Sequence, residues 1–151
     1  MSKKYILLES IRSMQNVWAI FRNSDWAWYT KLILTGHTPT PPRSDISKTA
    51  LWAEETIDWE YFEDAISTVK DLKSKWFKIF AVELNDESVD YRDFYKQDLW
   101  DICLVMWNEV KWVSQEMLEI ADKVVHIPML WNKSSLNVSV AAWIVMYWFV
   151  N

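Results

Sequence analysis

Two histidines and one cysteine are the residues of this 151-residue chain best suited to acid–base or nucleophilic work. None is set out for it. His37 falls in the turn-rich loop GHTPTPPRSD and reads as exposed. His126 falls in the apolar run KVVHIP, where a histidine is more often a satisfied core residue than a catalyst. The two are far apart and lack ligand spacing. Cys103 sits in ICLVM and reads as a buried thiol; alone, it forms no intrachain disulfide, which is consistent with a reducing cytosol. There is no glycine-rich phosphate loop as written, no Walker lysine motif, no CxxC pair and no HExxH. No metal site is expected, and nothing marks a Ser/His/Asp triad.

Apolar runs of strand length alternate with helical patterns along the chain. YILLESI (5–11), KLILT (31–35), FKIFAVEL (77–84), DICLVM (101–106) and KVVHIP (123–128) read as strands, with ETIDW (55–59) a possible further one. Helices are expected over 16–28, 46–51, 61–75 and 114–122, and from about Leu136 to the end. In 61–75, Phe62, Ile66, Val69 and Leu72 keep the three-to-four spacing of an amphipathic helix, and Ser114 is the expected cap of 114–122. Strands alternating with helices predict one α/β domain with a mostly parallel sheet flanked by helices. No linker, repeat or low-complexity segment divides residues 1–151.

Net charge is −5, which alone argues against nucleic acid. Its distribution says more: residues 1–53 carry +4 and residues 54–151 carry −9. A basic first third can meet phosphate while the rest repels it. The N-terminus is too short and polar for a signal peptide. The last apolar helix, about 13 residues, falls short of the roughly 20 that a membrane span needs. Composition has one outlier. Tryptophan occurs 12 times and glycine once, where an average chain of this length carries roughly 11 glycines.

Three segments rise above this background: NVWAIFRNSDWAW, LVMWNEVKW and HIPMLWNKSSLNVSVAAW. Read with glycine for tryptophan they become NVGAIFRNSDGAG, LVMGNEVKG and HIPMLGNKSSLNVSVAAG. In that form they resemble, in order and separation, motifs one, two and three of the SpoU (TrmH-like) RNA ribose 2′-O-methyltransferases of the SPOUT superfamily. KTALWAEE resembles a fourth family segment once Trp52 is read as glycine. The resemblance runs nearly end to end.

The resemblance implies a deep C-terminal trefoil knot, a homodimer and a cytoplasmic enzyme. It implies S-adenosylmethionine as cofactor, held by Leu84, Met106, Trp107, Asn108, Trp112, Ile127, Met129 and Leu136. It implies methyl transfer to a ribose 2′-OH of tRNA or rRNA by Asn16, Arg22, Glu109, Ser135 and Asn137. Arg22 would act as a phosphate clamp with assisted proton transfer rather than as a free base, since an arginine pKa is normally above about 12. Glu109 would accept hydrogen bonds that shape the cofactor loop. Ser135 or Asn137 would also cap the last helix. Arg12, Arg43 and Lys48 are candidate phosphate contacts. Because the chain begins almost at the first strand, a minimal version without an N-terminal RNA-binding extension is expected. The last helix supports a dimer independently. Val138, Ala141, Ala142, Val145, Met146 and Phe149 make it apolar nearly all round, so it must be buried on more than one side. A central core helix is the alternative.

Eleven tryptophans (18, 26, 28, 52, 76, 100, 107, 112, 131, 143 and 148) stand where the resemblance or a turn asks for glycine. Trp59 stands where an aromatic is natural. Overpacking a tight site costs about 1–3 kcal/mol, so eleven would cost on the order of 11–33 kcal/mol if additive. A domain has only about 5–15 kcal/mol to lose. The expectation is a host that reads UGA as glycine, its gene translated here with UGA as tryptophan. Deliberate Gly→Trp engineering is the rarer alternative. Two other functions stay open: a knotted RNA-binding protein without catalysis, if the tryptophans are real, and a base methyltransferase of the same superfamily.

Overall fold

The computed structural model describes residues 1–41, 53–94, 100–130, 132 and 135–150. Its frame is set by two short runs, YILLE and ICLVM. They become β1 (Lys4–Glu9) and β6 (Ile102–Met106), adjacent parallel strands in register Ile6 with Leu104 and Leu8 with Met106. Ile6, Leu7, Leu8 and Cys103 to Met106 are wholly buried. Continuous burial is what a parallel strand covered on both faces requires, and it explains why these runs do not alternate with polar residues. Burial pushes the Cys103 thiol well above its ordinary pKa, as expected for an inert core cysteine.

Around this pair stand β2 (Lys31–Thr35), β3 (Trp59–Phe62), β4 (Lys78–Val82), β5 (Val89–Asp90) and β7 (Lys123–His126). The sheet has seven strands in the order β3-β2-β1-β6-β4-β7-β5, every pairing parallel. The helices are α1 (Met14–Trp26), α2 (Ala53–Thr56), α3 (Ala65–Ser74), α4 (Gln115–Ile120) and α5 (Val138–Trp148). The α1 and α5 helices pack on each other, with Asn23 Nδ2 donating to the Ser139 carbonyl at 3.1 Å. On α5, Val138, Ala141, Ala142, Val145 and Met146 are buried while Val140 and Trp143 stay exposed.

Several boundaries differ from the sequence reading. The expected strand 55–59 is instead the short helix α2, and the strand lies at Trp59–Phe62. The β3 strand is an edge with only Trp59 half-buried; backbone pairing to β2 holds it, so side-chain periodicity carried no sign of it. The helix expected from residue 61 starts at Ala65, because the Asp64 carboxylate caps it by accepting from Ser67 N at 2.8 Å. The two-residue β5 was not foreseen. Ser114 caps α4 as expected, accepting from Met117 N. The expected helix 46–51, Arg43, Lys48, Trp52 and Trp131 lie outside the described residues.

Two helix ends share one device. After α3, Trp76 N donates to the Lys73 carbonyl and Phe77 N to the Leu72 carbonyl. After α1, Trp28 N donates to Asp25 and Tyr29 N to Ser24. Both are Schellman motifs, whose C′ residue is left-handed and is usually glycine. Here the C′ residues are Trp28, at φ 57°, and Trp76, at φ 69°. Elsewhere in the core, Trp18 is buried against Phe21, and its indole N–H has no partner among the described residues. An orphaned buried donor costs about 1–3 kcal/mol.

Candidate active site

Parallel sheets bind ligands at the carboxyl ends of their strands, beside the point where strand order reverses. That point is β1/β6: the chain runs outward from β1 to β2 and β3, and β6 is followed outward by β4 and β7. The three sequence motifs meet at this edge. Ser10–Ser13 follow β1, Trp107–Val113 follow β6, and Ile127–Asn137 connect β7 to α5.

A hydrogen-bonded chain ties the motifs together. Ser13 caps α1 by accepting from Asn16 N. The Glu109 carboxylate lies against that helix start, accepting from Arg12 N at 2.9 Å, Ser13 N at 3.0 Å and Asn16 Nδ2 at 3.2 Å. Asn16 Oδ1 accepts from Asn137 Nδ2 at 3.0 Å. Asn137 Oδ1 in turn accepts from Ser139 N and Oγ, which makes Asn137 the cap of α5. Ser135 is exposed, lies outside the cap and lines the adjoining cleft. Burial pushes the Glu109 pKa up, but the N–H donors of Arg12, Ser13 and its own backbone, with Asn16, outweigh it and hold the carboxyl below its usual range. Glu109 is therefore a braced anion at a helix N-terminus, not a proton acceptor. Its partners are the turn before α1, where the sequence reading had it shaping the cofactor loop. That loop is shaped by Asn108, whose Oδ1 accepts from Val110 N and Lys111 N and whose Nδ2 donates to the Ser10 carbonyl.

Beside the chain lies an apolar cleft lined by Val82, Leu84, Trp107, Trp112, Ile127 and Leu136, with Met129 and Ser135 at its wall. Six of the eight expected cofactor residues line it. Met106 is wholly buried inside β6, and Asn108 is buried in its turn; neither lines the cleft. His126 is half-buried at the wall, and Ser88 Oγ satisfies its Nδ1 at 2.9 Å; His37 is exposed. Two carboxylates missed by the sequence reading brace the loop after β6. Glu83 accepts from Val113 N at 3.2 Å and Leu84 N at 2.8 Å, and Glu9 accepts from Ser114 N at 3.2 Å. The sequence signal was available: each is an acid ending a buried strand run. Burial raises the Glu83 pKa more than those two N–H groups lower it. Among the described residues no His/Cys/Asp/Glu group could hold a metal ion, and no helix is long and apolar enough to cross a membrane.

Comparison with known proteins decides the family. Residues 3–147 match the SpoU rRNA Methylase family. The chain belongs to that family. It is 31% identical over 145 residues to a tRNA (guanosine(18)-2′-O)-methyltransferase of Thermus thermophilus, covering 94% of this chain and 71% of that protein. The tRNA-modifying TrmH/SpoU enzyme of A. aeolicus superposes with a TM-score of 0.88 at 27% identity, over 99% of this chain and 75% of that one. An AdoMet-bound rRNA methyltransferase of Sinorhizobium meliloti shares the fold, with a TM-score of 0.89 at 23% identity, over 96% of this chain and 54% of that one.

For a SpoU chain, two placements matter. Arg22 is half-buried on the α1 face that meets α5, in a groove lined by Ala19, Asn23, Trp26 and Trp143, with its guanidinium 5.4 Å from the Trp26 ring. Because α1 starts at Met14, Asn16 and Arg22 both lie within it, and six residues at 3.6 per turn put them on different faces. Among the described residues no hydrogen bond links Arg22 to the Glu109–Asn16–Asn137 chain. Arg12 is exposed, and its backbone N–H is bound to Glu109. The second placement is the cleft. Its apolar wall suits a purine, and Trp107 and Trp112 stand in that wall and narrow it.

Proposed function

We propose that the chain is an S-adenosylmethionine-dependent RNA 2′-O-methyltransferase acting on tRNA or rRNA, as a single domain over residues 1–151. One observation carries the reading: Asn16, Glu109 and Asn137, one from each motif, form a single hydrogen-bonded chain beside an apolar cleft. The bound cofactor would supply an electrophilic methyl group. What the chain's own residues do is hold and orient. Asn16 has a second amide proton and a second lone pair left to bind a ribose hydroxyl, and Ser135 faces the same space. Arg22 clamps a phosphate and turns the 2′-OH toward attack, with Arg12, Arg43 and Lys48 as further phosphate contacts. The RNA is recognised by shape and 2′-OH contacts. A tRNA is preferred over rRNA because a small dimer can embrace one.

The finer architecture belongs to the same reading. It includes a deep C-terminal trefoil knot. The exposed apolar residues Val140 and Trp143 on α5, beside Trp26, support a homodimer packed through α1 and α5. The expected setting is the cytoplasm. Incubating the chain, with glycine at the eleven positions, with methyl-labelled S-adenosylmethionine and tRNA or rRNA, then digesting to nucleosides, tests the reading. A labelled 2′-O-methylnucleoside is expected. Label on a base moves the protein to the base methyltransferases, and no label overturns the assignment.

A further inference from the structure

The backbone asks for glycine where the chain holds tryptophan. Five described residues have φ in the left-handed region: Gly36, Ser10, Trp28, Trp76 and Trp112. For a bulky side chain this is a true outlier, while glycine adopts it freely. The lone glycine, Gly36 at φ 59°, shows what the fold does with such a site, since a Cβ there would collide with Ser10 Oγ. Trp28 and Trp76 each occupy the C′ position of a Schellman motif, with indoles 80% and 88% exposed. They pack no core that would offset the strain. Trp112, at φ 62°, closes the turn on Asn108 and leans toward Trp107, ring centroids 6.4 Å apart. Those two indoles line the cleft that the family's cofactor should enter. At positions 28, 76 and 112 the conformation points to glycine without reference to any relative. At 107 the reason is the indole's place in the wall of that cleft.

We infer that glycine stands at 28, 76, 107 and 112 in the protein its host makes. The cleft at β4, β6 and β7 is then open to an adenosine-bearing cofactor. The second half and glycine at 107 rest on the methyltransferase reading; glycine at 28, 76 and 112 does not. Tandem mass spectrometry of peptides from the host's own protein reads the four positions directly. Glycine at each is expected, and tryptophan at any of the four overturns the inference there.

Two paired variants of the tryptophan-bearing chain test the structural logic. Trp28→Gly with Trp76→Gly should raise Tm by roughly 4 °C or more and leave cofactor affinity alone. Trp107→Gly with Trp112→Gly should raise S-adenosylmethionine affinity at least about 100-fold by calorimetry, which is about 2.7 kcal/mol. If the tryptophan-bearing chain does not fold, the same pairs are compared by returning tryptophan to the chain with glycine at the eleven positions (the all-glycine chain), with the opposite signs. An unchanged affinity for the cleft pair overturns the cofactor half. Cofactor binding without any methylated RNA leaves the inference standing and sinks the methyl-transfer reading.

Discussion

The two sides of the site are built to different standards. On the polar side, Asn16, Glu109 and Asn137 satisfy one another and the first turns of α1 and α5. On the apolar side, Trp107 and Trp112 line the cleft between β4, β7 and α5, and Trp112 does so from a strained backbone. The contrast shows what each side depends on. The polar side depends on side-chain identity, and every residue needed is present. The apolar side depends on backbone approaching a ligand, which only a missing side chain permits. A substitution of glycine therefore leaves the first intact and narrows the second.

Changes on the two sides should fail differently, and the largest failure should come from Arg22. In the all-glycine chain, Arg22→Ala should lower kcat by about 10²–10³-fold with S-adenosylmethionine affinity unchanged. Steady-state rates beside calorimetry check this, and retained turnover would remove Arg22 from the mechanism. Glu109→Gln comes next. It removes a charge that three N–H donors converge on, so about 1–3 kcal/mol of stability at neutral pH should go. Its folded pKa lies below the unfolded one, so its contribution is present above about pH 4.3 and is lost as pH falls through the folded value. Urea unfolding across that acid range should therefore show a shallower pH dependence for the variant; parallel curves would contradict the brace.

Asn137→Ala should cost about 1 kcal/mol as a lost cap. A double-mutant cycle with Asn16→Ala should show coupling, because the two amides are hydrogen-bonded; strict additivity would break the chain at that link. The smallest effect belongs to Glu83. Its folded pKa is raised, so its stabilising contribution is present below the unfolded value of about 4.3 and is lost as pH rises through the folded one. Glu83→Gln should thus be more stable than the parent at pH 7 by a few tenths of a kcal/mol or so, with the advantage gone near pH 4. A loss at pH 7 would mean that the N–H bonds from Val113 and Leu84 outweigh burial.

How much was legible follows from where each interaction lives. Strand runs that are buried on both faces announce themselves as unbroken apolar stretches, and ICLVM and KLILT were found to within a residue. Caps are local, so Ser114 could be named from the residues after it. Edge strands are not local, and β3, mostly exposed, and β5, two residues long, gave no periodicity to read. The composition anomaly was plain in the chain as a count, but a count cannot say which sites are strained.

By itself the sequence determined the alternation of elements, the order of the three motifs and the identity of their polar residues. Local periodicity and residue type suffice for those. Only the tertiary structure decided that Asn137 rather than Ser135 caps α5. It also decided that Glu109 braces the start of α1, and that Glu9 and Glu83 hold the loop after β6. It set Arg22 on a different face of α1 from Asn16, and it gave Trp28, Trp76 and Trp112 left-handed backbones. These facts depend on which strands lie side by side and how each turn closes. Contacts such as Asn16 with Asn137, 121 residues apart, are set by the strand order β1-β6-β4-β7 and by nothing in the spacing along the chain.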